Sequence, residues 1–491
     1  MKKIFLAVLV MIIYSPILRS EIYNLTLEES IEIAKEKSYT MQSLLQDLKI
    51  AEYNLKSTTS RLKTHIDMEF ALPDYSQTVR QKADSTGVFM SVKELTYSSN
   101  LTITQPLPTD GNIFLETGVA TFKDYYTENR SSNLVTRIRL KQPINAFYAY
   151  NGIKSDLKRA QLNYERSNKN LKRAELELVY RVSSSYYSLL LLQKRAEIAS
   201  QDLERQTEAY DISKNKYEAG LIREVDALQM EVDLAEAQSV YDVAILEHNS
   251  SINSFKYLIG IDLDDDVVLN NELVYGVIIV DPQEAVQLAL ENRLELREQE
   301  IEIELNKIAI KQQKAQRMIS GTLDAYFEKV GIAPHENINI PRSIENSYDD
   351  FLDRPSNYGV TFTIKVPIFD WGENKALVRA AQSRLKKVEL AKEDLERDIE
   401  TEVRNLASSV NSNLKRLQLL EKNVAVAEKS FEITLQRFSD GDIDSQSLAL
   451  ERSRLNTAYT SHLNAFINYQ LTLADLMQKT LYDFRSRQLV N

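Results

Sequence analysis

Cysteine is absent from this 491-residue chain, so neither disulfides nor thiolate metal sites are open to it. Glycine (12) and proline (10) are scarce, which disfavours a loop-rich fold and favours long helices. The four histidines, His65, His248, His335 and His462, are scattered without ligand spacing. No Walker A loop, G-x-S-x-G or H-E-x-x-H occurs, so the common motifs of phosphate, acyl and zinc chemistry are missing. The acidic run 262–273 is superficially calcium-like. It puts Val267 and Leu273 where an EF-hand needs Gly and Glu, and it reads as a linker. Acids outnumber bases, with a net charge of −11, which argues against nucleic acid as a partner. Beyond the N-terminus no segment is apolar for long enough to span a membrane as a helix. No catalytic, cofactor or metal site is expected.

What is present begins with an export signal. Lys2 and Lys3 precede an apolar core from Ile4 to Tyr14, and cleavage near Ser20 would remove residues 1–20.

Internal repetition sets the architecture. Shifted by 221 residues, Gly220 falls on Gly441 and Ile222 on Ile443. Upstream, Ala196, Ala199, Leu203, Gln206, Tyr210, Ser213 and Tyr217 form a stripe at steps of 3 and 4, matched by Leu417, Leu420, Val424, Ala427, Phe431, Thr434 and Phe438. Steps averaging 3.5 are the seam period of a coiled coil. Residues 25–38 also resemble 280–293, each a capped amphipathic helix entered by Thr26 or Asp281. The chain therefore reads as two copies of one unit, 21–260 and 261–491. No Gly or Pro interrupts 153–219 or 221–259. The first of these runs predicts a helix about 100 Å long that reverses at Gly220.

Each unit also carries strand-like sequence. In 359–366, Val360, Phe362, Ile364 and Val366 alternate with Thr361, Thr363 and Lys365. Residues around 65–72, 133–143 and 322–328 alternate likewise, and Pro73, Pro143 and Pro367 are read as closing strands. Residues 101–122 look like a surplus hairpin turning at Asp110-Gly111, and 332–358 like an exposed loop. Four strands per chain cannot close a membrane barrel, whose smallest form has about 8. Three chains would supply 12, with Val360, Phe362, Ile364 and Val366 facing lipid.

The ordered set of repeats, the segment "KVPIFDWG" (365–372) entering the second long helix and "YEAGLIREVDALQ" (217–229) at a tip resemble the TolC family of outer-membrane efflux proteins. The resemblance covers essentially the whole mature chain. It implies a mainly α homotrimer, with a 12-stranded β-barrel in the outer membrane continued by a periplasmic α-helical barrel. It further implies an exit duct for efflux or type I secretion, docking by its tips onto a periplasmic adaptor and an inner-membrane transporter. The docking residues would be Ala219, Gly220, Leu221, Ile222, Gly441 and Ile443. Asp226, Asp440, Asp442 and Asp444 would crowd the periplasmic pore mouth, with Asp444 placed to cap the return helix. The chain departs from the family after the second tip, where Ser447 and Leu450 replace the aspartates that narrow well-studied members. A soluble periplasmic coiled-coil adaptor is the competing expectation; it usually needs one hairpin, and this chain has two.

Overall fold

The opening helices form where the caps predict them. A computed structural model describes residues 22–81, 89–125, 128–270 and 273–489. The expected export signal lies outside these. Strand β1 (Ile22–Leu25) leads into α1 (Leu27–Lys37), where Thr26 and Glu29 form a reciprocal capping box. Helix α2 (Tyr39–Ser60) follows. Strands β2 (His65–Gln81), β3 (Phe89–Pro106), β4 (Asn112–Asp124) and β5 (Arg130–Pro143) precede the long hairpin of α3 (Gly152–Glu218) and α4 (Glu224–Ile259). The second half repeats the order with β6 (Asp266–Leu269), α5 (Pro282–Asn292, capped by Asp281) and α6 (Leu294–Ala315). Strand β7 (Ser320–Ile332), α7 (Ile340–Asp353) and β8 (Asn357–Lys365) lead to the second hairpin, α8 (Glu373–Asp440) and α9 (Ser445–Thr480). Two-residue strands β9 (Tyr482–Asp483) and β10 (Gln488–Leu489) close the described chain.

Two compact units emerge, and each takes pieces of both sequence repeats. The first comprises the described parts of 1–47, 169–297 and 393–491. Its core gathers Tyr186, Tyr187, Phe255, Phe466 and Tyr469 with the apolar faces of α1 and α5. The rings meet edge to face at about 6 Å, a geometry favoured by their quadrupoles. The starts of the two repeats are joined here, because β1 pairs in parallel with β6. The expected linker at 262–273 therefore contains a strand. Arg293, only 8% exposed, ties the end of α5 to Glu402 on α8 (2.7 Å), which also binds Lys479 on α9 (2.9 Å).

The second unit, 48–168 with 298–392, holds one antiparallel sheet in the order β2-β3-β4-β5-β7-β8. This corrects the count of four strands per chain, because the hairpin set aside as surplus is β3 and β4 within the same sheet. Two smaller expectations also give way. Pro73 does not end β2, since a register shift between Ala71 and Asp74 absorbs it and the strand runs on. The 332–358 segment is no plain loop. Pro341 lies in the first turn of α7, where a missing N–H costs nothing. Ser343 and Ser347 are fully buried on the sheet, with Ser347 donating to the carbonyl of Gly331.

Pairing puts apolar side chains on one face of the sheet. Ile66, Ile103, Leu115, Ile138 and Phe327 are successive partners across the strands, and Tyr358 completes the row. The opposite face is polar. There Arg139 forks onto Asp324 (3.0 and 2.6 Å), and Arg137 pairs with Glu328.

Candidate functional site: the helical tips

Both tips belong to the first unit and are built alike. The chain reverses through Gly220 (φ 75°) and Gly441 (φ 86°). At the first tip Gly220 donates to the carbonyl of Tyr217 (2.8 Å) and Leu221 to that of Lys216 (2.9 Å). At the second, Gly441 donates to Phe438 (3.1 Å) and Asp442 to Arg437 (2.9 Å). This is the Schellman arrangement, which satisfies the last helical carbonyls and needs a left-handed residue at its turn. Among the described residues nothing lies within 4 Å of the position a Cβ would take at Gly220, so backbone conformation selects glycine there.

The return helices start differently. Asp444 caps α9 as expected, accepting from the backbone N–H of Ser447 (2.9 Å). The Ser447 hydrogen bonds hold its carboxyl below the ordinary carboxylate range. Arg223 caps α4 with no side-chain bond; instead its guanidinium forks onto Asp226 (3.0 and 3.0 Å). That pairing holds the Asp226 carboxyl low and pushes the guanidinium pKa up.

Sequence reading missed Lys216. Its ammonium donates to the Phe438 carbonyl at the end of α8 and sits 4.9 Å from the centroid of the Phe438 ring. A cation is favoured at a helix C-terminus, and the ring face adds to the attraction. Lys216 thus ties the first tip to the second. A basic residue in the last turn before a glycine was the available signal.

Asp226, Asp440, Asp442 and Asp444 line one open cleft of about 860 Å³ between the tips. They are not equivalent. Asp226 is paired with Arg223, Asp444 is committed to its cap, and Gln436 donates to Asp440 (3.2 Å). The proposed docking residues separate too. Ala219, Gly220 and Leu221 are exposed, Leu221 by 73%. Ile443 turns inward onto the cluster of Phe438, Leu448 and Met230.

Two further apolar stripes lie open on the long helices. Val225, Leu228, Val232, Val243 and Leu246 recur along α4 near the coiled-coil period, each more than half exposed. Leu419, Val426 and Ile433 recur every seventh residue along α8, also more than half exposed. On β8, Val360, Phe362 and Ile364 are open on the apolar face; Val366 falls just past the strand's end.

The sequence matches the profile of the family described as outer membrane efflux protein over residues 115–241 and 285–480, about two-thirds of the chain. The chain belongs to the outer membrane efflux protein family. Solved structures agree on the fold. The Campylobacter jejuni CmeC outer membrane channel is 13% identical at a TM-score of 0.68, covering 92% of this chain and 85% of that one. The Neisseria gonorrhoeae MtrE outer membrane channel, in its open state, is 16% identical at 0.65, covering 92% and 88%. The outer-membrane channel OprN is 14% identical at 0.68, covering 92% and 89%. No curated protein matches. As a member of this family the chain is an outer-membrane efflux channel, and the soluble adaptor reading is set aside.

Proposed function

We propose that three chains close into one exit duct. Its sheet part lies in the outer membrane, and its helical tips receive cargo from a periplasmic adaptor and an inner-membrane transporter. The observation that carries this is the set of open apolar seams on each chain. A single chain leaves Val225–Leu246 of α4 and Leu419–Ile433 of α8 in water, although soluble surfaces rarely keep such stripes bare. Neighbouring copies packing edge to edge would bury both by the knobs-into-holes rule that built the internal seam. The sheet makes the same demand, because an open edge is not tolerated in lipid and, among the described residues, neither β2 nor β8 has an outer partner. Cargo is not bound in this scheme. The duct conducts water and solutes, and selection falls to the tip cleft, where Lys216 ties the first hairpin to the second and the Arg223–Asp226 pair braces the start of α4. Adaptor docking would continue the coiled coil at Ala219 and Leu221, the exposed residues beside Gly220.

The test is a double Ala219→Arg, Leu221→Arg variant assayed for export in cells alongside trimer yield. Both positions are exposed, so folding is spared. Export should fail while the trimer persists; unchanged export would remove the tips from docking.

A further inference from the structure

We propose that the assembled barrel has 18 strands, half again the 12 expected from sequence, so that its outer pore is porin-wide. This rests on the trimeric duct reading, since three chains of six strands make the count.

Three observations place β3 and β4 in the barrel wall. First, both lie in the middle of the sheet, β3 paired with β2 and, from Glu94 to Pro106, with β4, and β4 paired with β3 and β5. Second, they carry the two-faced pattern of a lipid-spanning strand. Leu95, Tyr97, Leu101 and Ile103 of β3 lie on the apolar face. Thr96, Ser98, Asn100, Thr102 and Thr104 lie on the polar one. With 18 and 13 residues, both exceed the roughly 9–11 that a tilted strand needs to cross. Third, their turn is pinned to the base of the barrel. Asp110, at φ 67°, accepts from the backbone N–H groups of Gly152 (3.2 Å) and Ile153 (3.1 Å) at the start of α3. Gln142 at the end of β5 donates to the carbonyl of Thr109 (2.7 Å), and Asn151 to that of Pro108 (2.9 Å). A hairpin lying outside the wall would have no need of such anchoring.

Closure is compatible with this count. The six strands alternate in direction, so the free edges β2 and β8 run oppositely. Edge β8 of one copy can therefore pair antiparallel with β2 of the next, leaving an even, edgeless ring. Barrel diameter grows roughly linearly with strand number. An 18-stranded ring is thus about 1.5 times as wide as a 12-stranded one, and rings of this size leave an open aqueous channel. Size selection would then rest wholly on the helical end, and bulky cargo that passes the tips would meet no second barrier in the membrane.

Electron cryomicroscopy of the full chain, purified in detergent, counts the strands in cross-section. A three-fold ring of 18 is expected. A three-fold ring of 12 overturns the wide barrel and leaves the duct intact, whereas particles with no three-fold ring count against the duct assembly itself. Arginine substitution gives a second readout. Leu101→Arg and Leu115→Arg, on the apolar face of β3 and β4, should each cut membrane-inserted trimer by roughly tenfold or more. Thr102→Arg, on the polar face, should not. Equal tolerance of all three would take β3 and β4 out of the wall.

Discussion

Replacing Phe362 by arginine tests which face of the sheet meets lipid. Phe362 pairs with Leu323 on the apolar face, and its ring lies over Gly321, 3.4 Å from where a Cβ would stand. It is the sixth of the nine residues of β8, next to the strand's middle. A cation at that depth costs about 2–4 kcal/mol, so the folding equilibrium constant in bilayers should fall by roughly 30- to 900-fold. Thr363 is its control. It pairs with Thr322 on the other face, which the proposed duct turns toward water, and Thr363→Arg should cost about 0–1 kcal/mol. Urea titration in lipid vesicles, followed by the gel-mobility shift of the folded barrel, measures both. Equal midpoints would refute the facing, and a larger loss at Thr363 would reverse it.

Three further outcomes follow from the helical unit. Gly441→Ala and Gly220→Ala should each cost about 1–2 kcal/mol through backbone strain alone, seen as faster amide exchange near the altered tip with trimer yield unchanged. Asp226 and Asp444 are held below their ordinary values, so their contribution is present above the usual carboxylate pKa of about 4 and is lost as pH falls through the lowered folded values. Exchange protection at the tips, corrected for intrinsic rate, should be flat from pH 7 to about 5 and collapse only below about 4. Arg293→Met leaves Glu402 with Lys479 as its remaining ion-pair partner and should lower stability in detergent by about 1–3 kcal/mol, read from the urea midpoint.

Local rules made much of this molecule legible. Thr26 with Glu29, and Asp281 before Pro282, announced the opening helices because a cap is a contact between near neighbours. The tips were legible for a related reason. A glycine alone in a long helical run marks a left-handed turn, and the repeat fixed two of them. What escaped depended on distant partners. The β1–β6 pair is four residues a side and gains meaning only when the two repeat starts are brought together. Helices α2 and α6 were missed because the sequence between opening helix and long helix was read for strands alone. The β3–β4 hairpin was seen but discounted, since nothing in the second repeat matched it. Its place in the sheet is set by pairing with β2 and β5, and its turn is anchored by Asp110 on Gly152 and Ile153, contacts that sequence distance conceals. Among the tip aspartates Asp444 was legible as a cap, but Asp226 was read as a bare charge. Arg223, three residues from Asp226, already offered a partner at helical spacing.

The duct stands most directly on its oligomeric state in the membrane. Membranes from expressing cells should be fractionated and the protein extracted, and its mass measured by mass photometry. The account predicts that the protein leaves the outer-membrane fraction only with detergent and then weighs as three chains. A folded monomer, stable in buffer without detergent, would contradict it.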